Sequence, residues 1–127
     1  MPRVFHYEDT GADENDLQKD YFDRHTPHVI CDGTAKRGQK FKVKVILGKD
    51  YAHPNEADHY ISYIQLWNRE TLLTEVRFSP GALGNMPEHA EADLYIIPKT
   101  SMNLSAMAVC TKHGLWQSET REVKVTD

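Results

Sequence analysis

Residues 38–47 alternate in polarity, with Phe41, Val43 and Val45 on one side and Lys40, Lys42 and Lys44 on the other. Alternation with a period of two marks a half-buried strand, because successive side chains leave a strand on opposite faces. Residues 59–68 are rich in Tyr, Ile and Trp and predict a second strand. Strict alternation there sets Ile61, Tyr63, Gln65 and Trp67 opposite Tyr60, Ser62, Ile64 and Leu66. A turn at Asn68, Arg69 and Glu70 leads into a third strand over 72–78, and Pro80, Gly81, Gly84, Asn85 and Pro87 make 79–88 a loop. A short strand over 92–97 stops at Pro98. Residues 102–111 then place Leu104, Ala106, Ala108 and Cys110 on one face, with Asn103, Ser105, Met107 and Val109 on the other. His113 and Gly114 break that strand, and 116–125 reads as one final strand. An extended segment over 27–31 brings the count to about seven. No long stretch has a helical period. Short strands at this spacing, divided by Gly and Pro turns, predict an all-β, antiparallel sandwich.

The length of 127 residues suits one domain. The net charge of −4 is unevenly placed: residues 1–23 hold seven acids and two bases, which leaves 12 acids and 13 bases in the rest. The chain therefore divides into an acidic, loop-like segment over 1–22 and a near-neutral sandwich domain over 23–127. Such a charge excludes nucleic acid as an expected partner. No apolar run approaches the roughly 20 residues that cross a bilayer, and no export signal is seen, so no membrane partner and a cytoplasmic location are expected. The two cysteines, Cys31 and Cys110, are then expected as reduced thiols.

Seven histidines exceed average usage and prompt a search for a metal site. Cys110-Thr111-Lys112-His113 sets a thiol and an imidazole three positions apart where a strand runs into a Gly turn. His53-Pro54-Asn55 and His59 lie in a Pro-stiffened loop that feeds a strand, and His25 stands before the Pro27 extended segment. Each pattern alone is weak, as a buried Cys or a surface His has no need of a metal. Together they offer four nitrogens and one sulfur, a donor set for iron, copper or zinc rather than magnesium or calcium. His6, His28 and His89 have no comparable context and are expected to be solvent-exposed, and Cys31 is expected to be a free thiol.

The order His-x-Pro, then His-Pro-Asn-x-x-x-His, then Cys-x-x-His-Gly-x-Trp resembles superoxide reductase of the single-iron, neelaredoxin type, related to the C-terminal domain of desulfoferrodoxin. The resemblance spans about residues 23–125. It implies an immunoglobulin-like sandwich and one Fe(II)/Fe(III) per chain. The implied equatorial ligands are His25, His53, His59 and His113, with Cys110 axial and a sixth position open. It implies the one-electron reduction of superoxide to hydrogen peroxide, a small electron donor such as rubredoxin, and a homotetramer. The rubredoxin-like domain of two-iron relatives carries four cysteines, and no Cys precedes Cys31 here. The family usually has Glu-Lys before the first histidine, where this chain has Asp23 and Arg24. By position, Asp23 takes the place of the acid that binds ferric iron as a sixth ligand, though one methylene shorter. Arg24 keeps the anion-steering charge as a guanidinium that does not readily give up its proton. Lys19, Lys49 and Lys112 are alternative sources of an ammonium.

Three other readings compete. A blue-copper carrier needs an axial Met after the Cys-His pair, and the last methionine is Met107. A structural zinc site closes with four ligands. A metal-free binding domain leaves the histidine excess without a cause.

Overall fold

The structure is a computed structural model and describes residues 4–6 and 19–127. Its strands in chain order are β1 (Val4–His6), β2 (Pro27–Ile30), β3 (Thr34–Lys36), β4 (Phe41–Leu47) and β5 (Ile61–Asn68). They continue as β6 (Thr71–Arg77), β7 (Glu91–Ile96), β8 (Met102–Cys110), β9 (Gly114–Gln117) and β10 (Arg121–Thr126). A single helix among the described residues, α1 (Lys19–His25), precedes β2.

Two sheets enclose one core. β2, β4 and β7 form a three-stranded antiparallel sheet in the order β2-β4-β7. The larger sheet is built on β8, which pairs with β5 along one edge and with β9 and β10 in succession along the other. β6 extends it beyond β5, while β1 and β3 add parallel to β9 and β10. The inward faces supply Val43, Val45 and Leu47 from β4, Ile64 and Leu66 from β5, and Leu104, Ala106 and Ala108 from β8. Burial of that apolar surface is the main favourable contribution to folding. The outward lysines of β4 find acids on β7, with Lys44 Nζ 3.2 Å from Glu91 and Lys42 Nζ 3.6 Å from Asp93. Such exposed pairs add little stability but fix which face meets water.

The all-β architecture agrees with the sequence pattern, with four corrections. First, the loop-like reading of residues 1–22 fails where it can be compared: β1 pairs with β9, and α1 crosses the 22/23 boundary. The acidic turn expected over 9–16 lies outside the described residues. The helix is short and therefore leaves no apolar period. It ends where Pro27 drives Thr26 out of helical geometry, and Thr26 Oγ1 then donates to the Phe22 carbonyl at 2.7 Å. Second, a register shift between Ile61 and Tyr63 turns Ile61 to the same inner face as Ile64 and Leu66. A bulge has that effect, because one extra residue flips every side chain before it.

Third, the expected final strand over 116–125 is two strands. Ser118 sits at the break and bonds Ala106 twice, its amide donating to the Ala106 carbonyl at 2.9 Å and its Oγ accepting from the Ala106 amide at 2.7 Å. The hydroxyl stands in for a backbone carbonyl, so the chain can shift its path without orphaning a buried amide. Fourth, His28 and His89 are half-buried rather than exposed. His89 Nδ1 lies 2.8 Å from the Leu47 carbonyl. The side chain of His6 lies outside the described residues.

Candidate metal centre

His25 closes α1, and its Nδ1 lies 2.6 Å from the Tyr21 carbonyl one helical turn back. An i, i+4 pair meets on one helix face, so the helix aims the opposite nitrogen, Nε2, inward. Trp116 lies flat against this ring, with centroids 4.7 Å apart and planes 15° from parallel. Phe5 of β1 stacks on Trp116 from 4.3 Å.

His53 belongs to the loop after β4. Its backbone forms an isolated bridge to Glu88, with both N–H···O distances 3.0 Å, and its Nδ1 lies 2.6 Å from the Pro54 carbonyl. His59 ends the same loop in a bridge with Glu56. Cys110 is the last residue of β8 and is 2% exposed. The turn that follows reverses at Gly114, whose φ of +83° suits glycine and strains other residues. Trp116 Nε1 donates to the His113 carbonyl at 3.0 Å and so fixes the turn. Tyr60 and Thr111 join the His59 loop to the Cys110 turn, through Thr111 N–H to the Tyr60 carbonyl at 3.0 Å and Tyr60 N–H to Thr111 Oγ1 at 3.2 Å.

These segments bring ligand atoms of His25, His53, His59 and Cys110 within 4.8 Å of one another. His113 stands beside that group. Its ring centroid is 5.0 Å from those of both His25 and His59, and its Nδ1 is 3.6 Å from Cys110 Sγ. The four imidazoles close a circuit, with His25–His53 at 4.7 Å and His53–His59 at 4.9 Å, each ring steeply inclined to the next.

The proton inventory points to a cation. Burial lowers the His25 pKa to about 3 and the His53 pKa to about 4, with neighbouring imidazoles and Arg24 adding to the effect. Both rings are therefore neutral at pH 7. Each places Nδ1 on a backbone carbonyl, which assigns the single ring proton to Nδ1. The Nε2 atoms of His25 and His53 then confront each other with lone pairs at 3.1 Å. His59 Nε2 is buried with no partner, and burial holds the His59 and His113 rings toward the neutral form as well. Burial pushes the Cys110 thiol up, against the N–H groups of Lys112 and His113 and the charges of Arg24 and Lys112, which pull it down. Inward lone pairs beside a thiol fit a shared metal ion, whose charge draws off the thiol proton. Carbonyls behind the ligating rings are the usual device that orients them.

Asp23, which the resemblance implies as a sixth ligand, faces the loop that leads to His53. Its buried carboxylate accepts from the amides of Lys49 at 3.3 Å, Asp50 at 3.0 Å and Tyr51 at 2.9 Å. Those acceptors are committed to the loop that leads to His53, and Asp23 is not in the donor group. Gly48 permits this closure, because a Cβ there would meet the Tyr51 carbonyl at 2.5 Å. Arg24 lies at the site. Its guanidinium sits 5.7 Å from the Tyr21 ring centroid and 3.5 Å from Asp20, while its Nε is buried without a partner. Lys112 reaches Asp58 at 3.8 Å and its charge is felt by His59, His113 and Cys110. Lys49 instead acts on His28. Two residues were missed from sequence alone: Tyr21, whose carbonyl orients His25, and Phe5, which backs Trp116. The i, i+4 spacing of Tyr21 and His25 was the available signal for the first.

An all-β sandwich with a buried His/Cys cluster at one end of β8 defines a non-haem metalloprotein. The family model for desulfoferrodoxin matches residues 17–119, and the chain belongs to that family. Superoxide reductase of Pyrococcus furiosus is 32% identical over 110 residues, covering 76% of this chain and 86% of the relative. Neelaredoxin of Megalodesulfovibrio gigas is 28% identical over 110 residues, covering 76% and 84%. The solved superoxide reductase (neelaredoxin) of Ignicoccus hospitalis superposes with a TM-score of 0.75 at 28% identity, over 97% of this chain and 95% of that one.

Proposed function

We propose that this chain is a superoxide reductase whose iron is held by His25, His53, His59, His113 and Cys110. The observation that carries the ligand set is the pair of neutral imidazoles whose Nε2 lone pairs meet at 3.1 Å beside a buried cysteine. When bound, iron supplies one electron to superoxide, which with two protons becomes hydrogen peroxide. The protein's part is to position and to attract. The carbonyls of Tyr21 and Pro54 orient the His25 and His53 rings, Trp116 backs the His25 ring from behind, and Cys110 would contribute a soft anionic ligand that raises electron density at the metal. No further donor joins the group among the described residues, which supports an open position.

Four neutral rings and one thiolate leave a ferrous centre with a local charge near +1, and Arg24 and Lys112 add to it. A small anion is attracted by that local field despite the net charge of −4. We expect Arg24→Ala to slow the second-order reaction with superoxide by on the order of tenfold, the low end of electrostatic steering, and to flatten its dependence on ionic strength. Pulse radiolysis over a salt series measures both. An unchanged rate and slope would assign the steering to Lys112 instead.

One iron per chain, a small redox protein such as rubredoxin as electron donor and a homotetrameric assembly belong to the same proposal and rest on the family likeness, while a cytoplasmic location rests on the sequence reading alone. No helix among the described residues is long and apolar enough to cross a membrane. A blue-copper reading loses support, because Met107 lies on the face of β8 opposite Cys110. The test is native metal content with the visible spectrum. About one iron per chain and, on oxidation, a red-region absorption from thiolate-to-iron charge transfer are expected. Stoichiometric zinc or copper with no such band would sink the reading.

A further inference from the structure

Away from the metal centre, a hollow of about 630 Å³ opens between β2, the start of the loop after β4, and the link between β9 and β10. Its volume lies in the range of about 300–1,000 Å³ typical of small-molecule sites. Lys49 and Arg121 stand on its rim, and neither has an acidic partner at ion-pair distance among the described residues. Arg121 is oriented on the rim by Cys31, its Nη2 donating to the Cys31 carbonyl at 3.0 Å and its guanidinium also bonding the Cys31 thiol. Half-buried His28 lines the hollow, and its Nε2 is buried with no partner. An unpartnered buried nitrogen is costly, and a ligand oxygen or hydroxyl removes that cost. Ile30 and Ile46 give the same hollow an apolar wall, and Ile30 is 55% exposed. Glu119 is the lone acid of the lining, so two cations and one acid leave a balance of +1.

We propose that this hollow binds a small organic monoanion, a carboxylate on a short apolar chain. Its head would be set between Arg121, Lys49 and His28, with its body against Ile30 and Ile46. The single excess charge selects a monoanion over a doubly charged phosphate. A carboxylate matches the fork of an arginine, and the isoleucine wall favours a ligand with an alkyl part over an inorganic ion. The pocket shares none of the five proposed iron ligands, so its test is independent of the redox assignment.

The test is calorimetric titration of the full-length protein with hexanoate, hexanol and inorganic phosphate. Saturable binding of hexanoate at one site is expected, with hexanol and phosphate each at least tenfold weaker. Arg121→Gln should weaken hexanoate at least tenfold while the far-UV circular dichroism and superoxide turnover stay unchanged. Lys49→Gln serves as a second variant should the first disturb the fold. Equal affinity for hexanol, an absence of saturable hexanoate binding, or undiminished affinity in a folded variant would overturn the site.

Discussion

Replacing Cys110 by serine should abolish both the red charge-transfer absorption and superoxide reductase turnover, while the fold is kept. Serine is nearly isosteric at a position 2% exposed at the end of β8, so the sandwich loses little packing. The chemistry changes far more. A hydroxyl gives up its proton much less readily than a thiol, and an oxygen donor lacks the polarisable density that a thiolate lends to iron. Loss of an outer partner of a ligand costs about 10–100-fold in affinity or activity. Loss of the proposed sulfur ligand should exceed that. The measurement pairs the visible spectrum of the oxidised variant with its rate of superoxide consumption. Retained colour would take Cys110 out of the ligand set and return the site to its four imidazoles.

The second large effect is on stability. Trp116→Ala should cost about 3–5 kcal/mol, as truncation of a large core aromatic does, out of a typical total of about 5–15 kcal/mol. Trp116 is 1% exposed and lies between Phe5 on one side and His25 on the other. Its indole N–H also holds the His113 carbonyl. One truncation therefore opens a void, frees β1 from its stacking partner, and loosens two proposed ligands. Urea titration should show a lower midpoint at a similar slope, and the variant should bind iron more weakly. Trp116→Phe keeps the ring but not the N–H. It should recover most of the stability and less of the iron affinity. A midpoint unmoved by the alanine change would show that the stack contributes nothing.

The cluster of His25, His53, His59 and Cys110 was readable from the chain because rare residue types carry it at loop–strand junctions, where spacing survives without tertiary knowledge. The core faces of β4 and β8 were readable for a related reason: each is buried on one side only, which leaves a clean period of two. The remainder depends on contacts between distant segments. The break at Ser118 follows from its bonds to Ala106, and the bulge after Ile61 from pairing with β8. α1 has seven residues, too few to show a periodicity. The bonds from the amides of Lys49, Asp50 and Tyr51 to Asp23 join segments far apart in the chain and leave no mark in the local sequence. His28 and His89 looked exposed for want of a motif, and only the folded chain shows the cavity and the carbonyl that receive them.

The proposed donors come from α1, from the loop after β4, from the last residue of β8 and from the turn that follows it, sites separated along the chain from His25 to His113. An ion shared among them acts as a cross-link that closes several long loops at once. Loop-closure entropy grows only slowly with length, so the cost of gathering these segments falls on folding of the sandwich, before any metal arrives. An unfolded chain has no assembled site to offer. Metal acquisition should therefore follow assembly of β4 and β8, and the loaded chain should resist unfolding by more than any single ligand contributes.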